Sequence, residues 1–392
     1  MGKKVTCLSL LILIFTLSAC GEKPIREDAL QSNVPKGDVQ ELNIETGMEE
    51  VPFAENIALE EEQDITVMDI NQNYILYKIW HWNDSGFYAL MDKIGVWDME
   101  KQEIAEEIDM EQQFLFSAKL DKDNKIYISC FDPTEGKTQE WSVLYWNKNE
   151  WKEVMSGYSS SEDGMNSPSL IRVGDEIVCV YENLVEESTY CFGSKVLKEG
   201  NTIDLEETEG DLLIETDYHF QDANNERAGS NFFVYFVEKN EKGVFRVVDL
   251  EGNILEFELS GKIYDYIVTD TFLIVSGADE ENGKRFYTIY DLNSNQMERY
   301  GTLKNGYRYR LCSDGKDGVI SVDNSYGLQY AVINEDKLTE YPIKVMQDLE
   351  KAAVYFEPDG KGGFYFVYSL RYSGNQTDVY HVGAEVFEQL TE

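Results

Sequence analysis

Basic side chains, histidine and proline are scarce in this chain, and each shortage removes a class of function. Lys and Arg together number 34 against 74 Asp and Glu, a formal net charge of −40 over 392 residues. So acidic a chain repels phosphate backbones and anionic lipid surfaces, which excludes nucleic-acid partners and polybasic membrane attachment. Only 3 His are present, His81, His219 and His381, far apart in the sequence. They leave little material for His-rich metal centres or most His-based catalysis. No His-Glu-x-x-His, Gly-x-Ser-x-Gly or phosphate-cradling glycine motif occurs. The sequence therefore implies no metal and no cofactor. With 7 Pro and 6 Cys the chain is neither a proline-rich spacer nor a disulfide framework. Its 42% hydrophobic and 13% aromatic content is enough to build a sizeable core, which excludes a wholly disordered chain.

The N-terminus carries an address. Lys3 and Lys4 precede an apolar run from Val5 to Leu17, too short for a spanning helix and the right length for the apolar region of a signal peptide. The run ends in Leu17-Ser18-Ala19-Cys20 followed by Gly21. Those residues resemble the lipobox of bacterial lipoproteins. The resemblance implies a diacylglycerol on the Cys20 thiol, cleavage before Cys20, and a domain held outside the cytoplasm on a bacterial membrane by its acyl chains. Removing Lys3 and Lys4 with the signal leaves 32 basic and 74 acidic residues, a net of −42. After this signal peptide (1–19), residues 20–62 read as the lipidated cysteine and an acidic tether. That segment contains Pro24, Pro35, Pro52 and the run Glu60-Glu61-Glu62, without a sustained period. Within it, Val51 to Ala54 can instead add a strand to the folded domain.

Residues 63–392 read as strands. Tyr (25) and Phe (19) are abundant, apolar blocks of four to seven residues recur, and Gly, Asn and Asp punctuate them. One strongly apolar block returns seven times, marked by Ile75, Ile126, Ile177, Phe233, Leu273, Val319 and Tyr365, with a mean spacing of about 48 residues. Tight turns precede several markers, as in Asp121-Lys-Asp-Asn-Lys125, and hairpin turns follow, as in Asp249-Leu-Glu-Gly-Asn-Ile254. Strand, turn, apolar strand, loop, strand, turn, strand is a four-stranded antiparallel unit, and seven units resemble a seven-bladed β-propeller. The fold class is thus all-β. The resemblance stops at the fold, since the signatures of the WD40, kelch and sialidase-like repeats are absent. The last unit reads as four strands of its own, Ala352–Phe356, Phe364–Tyr368, Asp378–His381 and Glu385–Leu390, so ring closure by an N-terminal strand is not required. A short helical turn is expected between Lys344 and Ala353.

Candidate site residues fall into three groups. All 6 Trp lie in the first two units. Most read as packing between blades, whereas Trp82, at a strand end beside Asn83-Asp84-Ser85-Gly86, can stack on a ligand. The loops after the marker strands are acidic, with Asp84, Asp279 and Glu281 as candidate ligand-binding residues, and a solvated rim is the expected role of most of these carboxylates. Cys179 and Cys191 are symmetric about residue 185 and can face each other across a hairpin, although free buried thiols are the expectation. Together these point to a membrane-anchored, extracytoplasmic lipoprotein whose propeller is a non-enzymatic binding or scaffold module. Its ligand is a carbohydrate, a peptide or another envelope protein. The alternative is a carbohydrate-active or other hydrolase or lyase using carboxylates on the loop face.

Overall fold

The computed structural model describes residues 42–388 apart from 83–88, 111–113, 133–137, 161–167, 187–188, 210–228, 230, 240–241, 260, 279–282, 284, 295, 302–308, 315–317, 324–326, 335–336, 345–351 and 371–376. Two short strands open it, β1 (Leu42–Asn43) and β2 (Met48–Val51). Seven antiparallel sheets follow in chain order. Blade 1 holds β3 (Gln63–Ile70), β4 (Tyr74–Trp82), β5 (Ala89–Asp98) and β6 (Glu103–Asp109). Blade 2 holds β7 (Phe114–Leu120), β8 (Ile126–Asp132), β9 (Thr138–Trp146) and β10 (Trp151–Ser160). Blade 3 holds β11 (Ser169–Val173), β12 (Glu176–Glu186), β13 (Thr189–Lys198) and β14 (Asn201–Glu209). Blade 4 has three strands among the described residues, β15 (Phe232–Lys239), β16 (Lys242–Asp249) and β17 (Ile254–Glu258). Blade 5 holds β18 (Lys262–Val268), β19 (Phe272–Ala278), β20 (Arg285–Asp291) and β21 (Gln296–Gly301). Blade 6 holds β22 (Tyr309–Ser313), β23 (Gly318–Asp323), β24 (Gly327–Asn334) and β25 (Lys337–Lys344), and blade 7 holds β26 (Ala352–Pro358), β27 (Phe364–Leu370) and β28 (Thr377–Val382).

The seven apolar markers all fall on the strand after the innermost one, or on β15 in blade 4. Such a strand has a neighbouring blade on each side, so both faces are buried and strict alternation is lost. The apolar core is accordingly not one mass but seven wedges, one between each pair of adjacent blades. Leu76 and Ile94 of blade 1 meet Ile126 and Ile128 of blade 2, for example, and Val234 and Phe245 of blade 4 meet Tyr266 and Leu273 of blade 5. Trp97 and Trp141 are filler of this kind, each about 1% exposed. Each innermost strand touches its counterpart in the next blade, β3 with β7, β7 with β11, β18 with β22 and β22 with β26, and β3 returns against β27. Asp side chains close the turns that follow. Asp121, Asp314 and Asp359 each pair their backbone with the residue four positions on, whose N–H in turn donates to the Asp Oδ1.

The ring closes differently from the sequence-based expectation. The fourth strand of blade 7 is β2, antiparallel to β28 with Glu49 opposite His381. The segment expected to fill that place, Glu385–Leu390, instead begins with a short helix, α1 (Ala384–Glu388). The adjacent residues Val386 and Phe387 are both buried. A strand would send them to opposite faces, whereas one helical turn sends both into the wedge between blades 6 and 7. There Phe387 lies 4.7 Å from the Tyr330 ring and 5.3 Å from that of Phe364. Strand β1 adds to blade 6, parallel to β25. Residues 42–57, which the sequence reading placed in the acidic tether, therefore form a strap across blades 6, 7 and 1. Leu42 and Ile44 bury in the wedge between blades 6 and 7, Phe53 and Ile57 in the wedge between blades 7 and 1. The expected helical turn between Lys344 and Ala353 falls largely outside the described residues.

The strap's main anchor is Phe53, 2% exposed and edge-on to Tyr77 (5.4 Å) and Trp97 (6.2 Å). Phe53→Ala is expected to lower stability by about 3–5 kcal/mol in urea unfolding. Glu50→Ala, on the exposed side of β2, should cost under about 0.5 kcal/mol. Equal midpoints for wild type and Phe53→Ala would show that the strap does not hold the ring closed.

Candidate functional site

Two polar constellations stand at opposite ends of the innermost strand β3. Gln63 begins that strand and Asp69 lies six residues on, about 20 Å away at the rise of a strand.

At the far end, four charged side chains come from the innermost strands of four consecutive blades. They are Glu357 (blade 7), Asp69 (blade 1), Lys119 (blade 2) and Arg172 (blade 3), each the penultimate residue of its strand. The Lys119 Nζ lies 3.2 Å from Asp69 Oδ1 and 3.9 Å from Glu357 Oε1, and the first three are at most 2% exposed. Arg172 donates to Asp69 Oδ2 through one nitrogen and to the Leu120 carbonyl at 2.9 Å through the other. The Leu120 N–H donates to Asp69 Oδ2 at 2.8 Å. Burial by itself would raise the Asp69 carboxyl, but Arg172, Lys119 and the Leu120 N–H outweigh it and hold the group below the ordinary carboxylate value. Two anions and two cations balance within a protein that is otherwise strongly negative.

Asp69 follows a β-bulge at Met68, and the same device recurs. Ser117 follows a bulge in β7 and exchanges hydrogen bonds with Leu170 of blade 3 (3.3 and 3.5 Å). Asp265 follows a bulge in β18 and accepts from the Leu311 N–H of blade 6 at 2.8 Å. In each case the extra residue turns a polar side chain toward the next blade's innermost backbone. Composition could not have revealed this network, because Asp69, Lys119, Arg172 and Glu357 lie 50 to 288 residues apart. The one sequence signal is an apolar–polar step inside the first strand, as in Met68-Asp69 and Tyr264-Asp265.

At the near end, blade 1 places Trp82 at the last position of β4, 54% exposed. Trp80, two residues earlier on the same face, meets it edge-on with centroids 5.2 Å apart. The Trp80 indole N–H donates to Thr66 Oγ1 at 2.9 Å, which fixes the pair. Thr66 is the cross-strand partner of Lys78, the next residue down that face. Burial lowers the Lys78 ammonium to about 8. On the other face, a bulge at Asp92 in β5 turns its carboxylate onto His81. The His81 Nδ1 lies 2.9 and 3.0 Å from the two Asp92 oxygens, and Gln63 Nε2 donates to Oδ2 at 2.8 Å. Gln63 Oε1 accepts in turn from the Glu60 N–H at 2.9 Å.

Of the sequence-based candidates, then, only Trp82 is placed; Gln63, His81 and Asp92, which sequence reasoning did not select, gather at the same strand end on the opposite face. Cys20, Asp84, Asp279, Glu281 and His219 lie outside the described residues. His381 pairs with Asp359 at 3.0 Å, which helps hold that carboxyl low against its burial, in the turn before β27. The register of β12 and β13 puts Cys179 opposite Lys195 and Cys191 opposite Asn183, so the two cysteines do not face each other. Glu186 stands opposite Thr189, so the pairing is centred beyond residue 185. Cys130, Cys179 and Cys312 are buried thiols outside any disulfide, and burial pushes the Cys130 thiol up to about 12, which makes it inert. Among the described residues no group of His, Cys, Asp or Glu has the arrangement of a metal site.

No protein-family model matches the chain, and no curated protein matches it by sequence. Among solved structures it is similar to the β-propeller domain of the trilobed protease of Pyrococcus furiosus, which has an open velcro topology. The two are 12% identical with a TM-score of 0.51 over 82% of this chain and 94% of that one. It is also similar to an acylaminoacyl peptidase (12%, 0.48, covering 79% and 49%) and a streptogramin B lyase (12%, 0.42, covering 85% and 96%). At such identities the likeness is one of fold, and it defines the chain as a divergent β-propeller.

Asp69→Asn is expected to cost about 3–5 kcal/mol, because it leaves Lys119 and Arg172 buried against a neutral amide. A carboxyl held low in the folded state stabilises it above the unfolded value, near about 4, and that contribution fades as pH falls further. The gap between wild-type and variant stabilities, measured by urea unfolding from pH 7 down to pH 3, should therefore narrow below about pH 4, by up to about 1.4 kcal/mol at pH 3. Parallel curves at every pH would remove the buried carboxylate from this role.

Proposed function

We propose that this protein is a lipid-anchored lipoprotein of a bacterial membrane whose propeller works outside the cytoplasm as a rigid, non-enzymatic binding module. The observation that carries the reading is the ordered run of Lys3-Lys4, an apolar stretch and Leu17-Ser18-Ala19-Cys20. The folded part is consistent with it. No described helix is long and apolar enough to cross a membrane, so attachment falls to the N-terminal segment. The chain enters the propeller at Leu42 on the outer edge of blade 6. The 21 residues between Cys20 and Leu42 can reach at most about 70 Å when extended. The acidity of the domain keeps it off anionic headgroups, as a module presenting a face to a partner requires. Trp82, exposed and packed edge-on against Trp80, is the feature of blade 1 suited to contacting one.

In cells making the full chain, wild type is expected in the membrane fraction and Cys20→Ala in the soluble fraction or as an unprocessed precursor. Equal membrane retention of both, with equal processing, would overturn the lipid anchor.

A further inference from the structure

Lys78 carries its amine on the face of β4 turned toward blade 2, two residues beyond Leu76 of the apolar wedge. Its cross-strand neighbours are Thr66 on β3 and Ile94 on β5, and Leu76 and Ile94 are fully buried. Among the described residues no oxygen accepts a hydrogen bond from its Nζ and no carboxylate pairs with it. Anions are not lacking, since Lys93 pairs with Glu107 at 2.6 Å and Lys101 with Asp98 at 2.7 Å. The titratable groups on the elements packed around Lys78 are engaged elsewhere or neutral. On β3, Asp69 is held by Lys119 and Arg172, and Asp64, opposite Trp80, makes no ion pair with Lys78. On β5, Asp92 turns to His81 on the other face, and on β6, Glu106 accepts from the Trp146 indole while Glu107 pairs with Lys93. In blade 2, Cys130 lies in the wedge with its thiol neutral.

A lysine so placed is rare, because desolvating an ammonium without a counter-ion is costly and the group sheds its proton instead. With its ammonium near about 8, a share of Lys78 carries a lone pair on Nζ at neutral pH. The residue is half-buried rather than sealed, so a small molecule can reach it. We propose that Lys78 is a covalent capture site for uncharged carbonyl compounds, which it holds as a reversible imine. The Nζ lone pair attacks the carbonyl carbon, a C–N bond forms, and a proton passes through water from nitrogen to oxygen to give a carbinolamine. Loss of that hydroxyl with the second N–H proton, as water, leaves the C=N bond, with no oxidant or reductant consumed. The reaction replaces an unpaired cation by a neutral group in apolar surroundings, which favours it at this lysine over ion-paired ones. A protein of net charge −40 disfavours anionic carbonyl compounds. This inference goes beyond the binding reading above and depends on neither the lipid anchor nor Trp82.

The test treats the purified full chain with benzaldehyde and cyanoborohydride, which traps an imine as a stable secondary amine, and reads each lysine by peptide mass spectrometry. At pH 7 Lys78 is expected to be trapped about tenfold faster than the exposed Lys148. Its rate should level off above about pH 8, whereas an ordinary lysine, titrating near about 10, keeps gaining reactivity. Without cyanoborohydride the adduct should be lost on dilution. Thr66→Asp keeps an acceptor for the Trp80 indole and adds a counter-ion opposite Lys78, so it should slow trapping at pH 7 about threefold or more. Lys78→Met should leave the urea midpoint equal or higher, since no partner is lost. 4-Carboxybenzaldehyde should react about threefold or more slowly than benzaldehyde at low ionic strength. Equal rates for the two aldehydes would support the reactive amine and overturn the restriction to uncharged carbonyl compounds. Lys78 trapped no faster than Lys148, a rate that climbs past pH 9 without levelling, no slowing in Thr66→Asp, or a lower midpoint in Lys78→Met would overturn the proposal.

Discussion

Asp69 is where the ring is held at a fixed geometry. A four-stranded meander has no interior of its own, and its apolar residues are hidden only when the next blade stands at the right angle and height. Apolar wedges are non-directional and tolerate sliding, whereas a buried carboxylate does not. With one oxygen on the Leu120 N–H and Arg172 and the other on Lys119, Asp69 ties the innermost strand of blade 1 to those of blades 2 and 3. Lys119 extends the tie to Glu357 of blade 7. Desolvating four charges is costly, and the cost is recovered only if all four meet. That conditional recovery is what makes such a cluster a gauge of correct assembly. Ser117 and Asp265 repeat the tie with weaker partners further round.

Closure is the second constraint, and it links the fold to the proposed anchor. Because β2 completes blade 7 and β1 extends blade 6, the first described residues are also the last structural seal of the ring. Any pull on a tether attached ahead of Leu42 would act on this strap before it reached the ring. Phe53 and Ile57, seated between blades 7 and 1, would carry that load in the wedge where the first and last blades of the chain meet. The position suits a protein held by its N-terminus, since shear along paired strands is resisted by several backbone hydrogen bonds at once.

Blade 1 therefore serves two purposes along one strand. The end of β3 locks the ring, and its beginning supports Gln63 beneath His81 and Asp92. Bulges produce both features. At Met68 the bulge turns Asp69 inward to the next blade, and at Asp92 it turns a carboxylate onto a histidine at the strand end. Glycine makes room for the large rings between. Any side chain at Gly95 would collide with the Tyr77 ring across the strand pair, and one at Gly157 with Trp141. Aromatic bulk in these wedges and small residues opposite it keep the neighbouring blades close enough for the polar ties to form.

The repeat, its period and its number were legible in the amino-acid order, because a strand buried on both faces must be apolar along its length and Ile75, Ile126 and their successors keep that property in every unit. The turns were legible too, since Asp121, Asp314 and Asp359 do their work within four residues of chain. What the order did not show was anything that depends on which blade lies beside which. Val386 and Phe387 read as strand residues until β2 takes the edge they would have filled. Cys179 and Cys191 look matched until the hairpin's centre shifts by two residues and every partner changes. Asp69, Lys119, Arg172 and Glu357 look like four more charges in a chain full of them. The same holds at the other end of β3, where Trp82 was visible as a tryptophan beside a turn but His81, Asp92 and Gln63 came together on the opposite face only through register and a bulge. Local pattern is written in neighbouring residues, whereas partners tens to hundreds of positions apart are chosen by the closure of the ring.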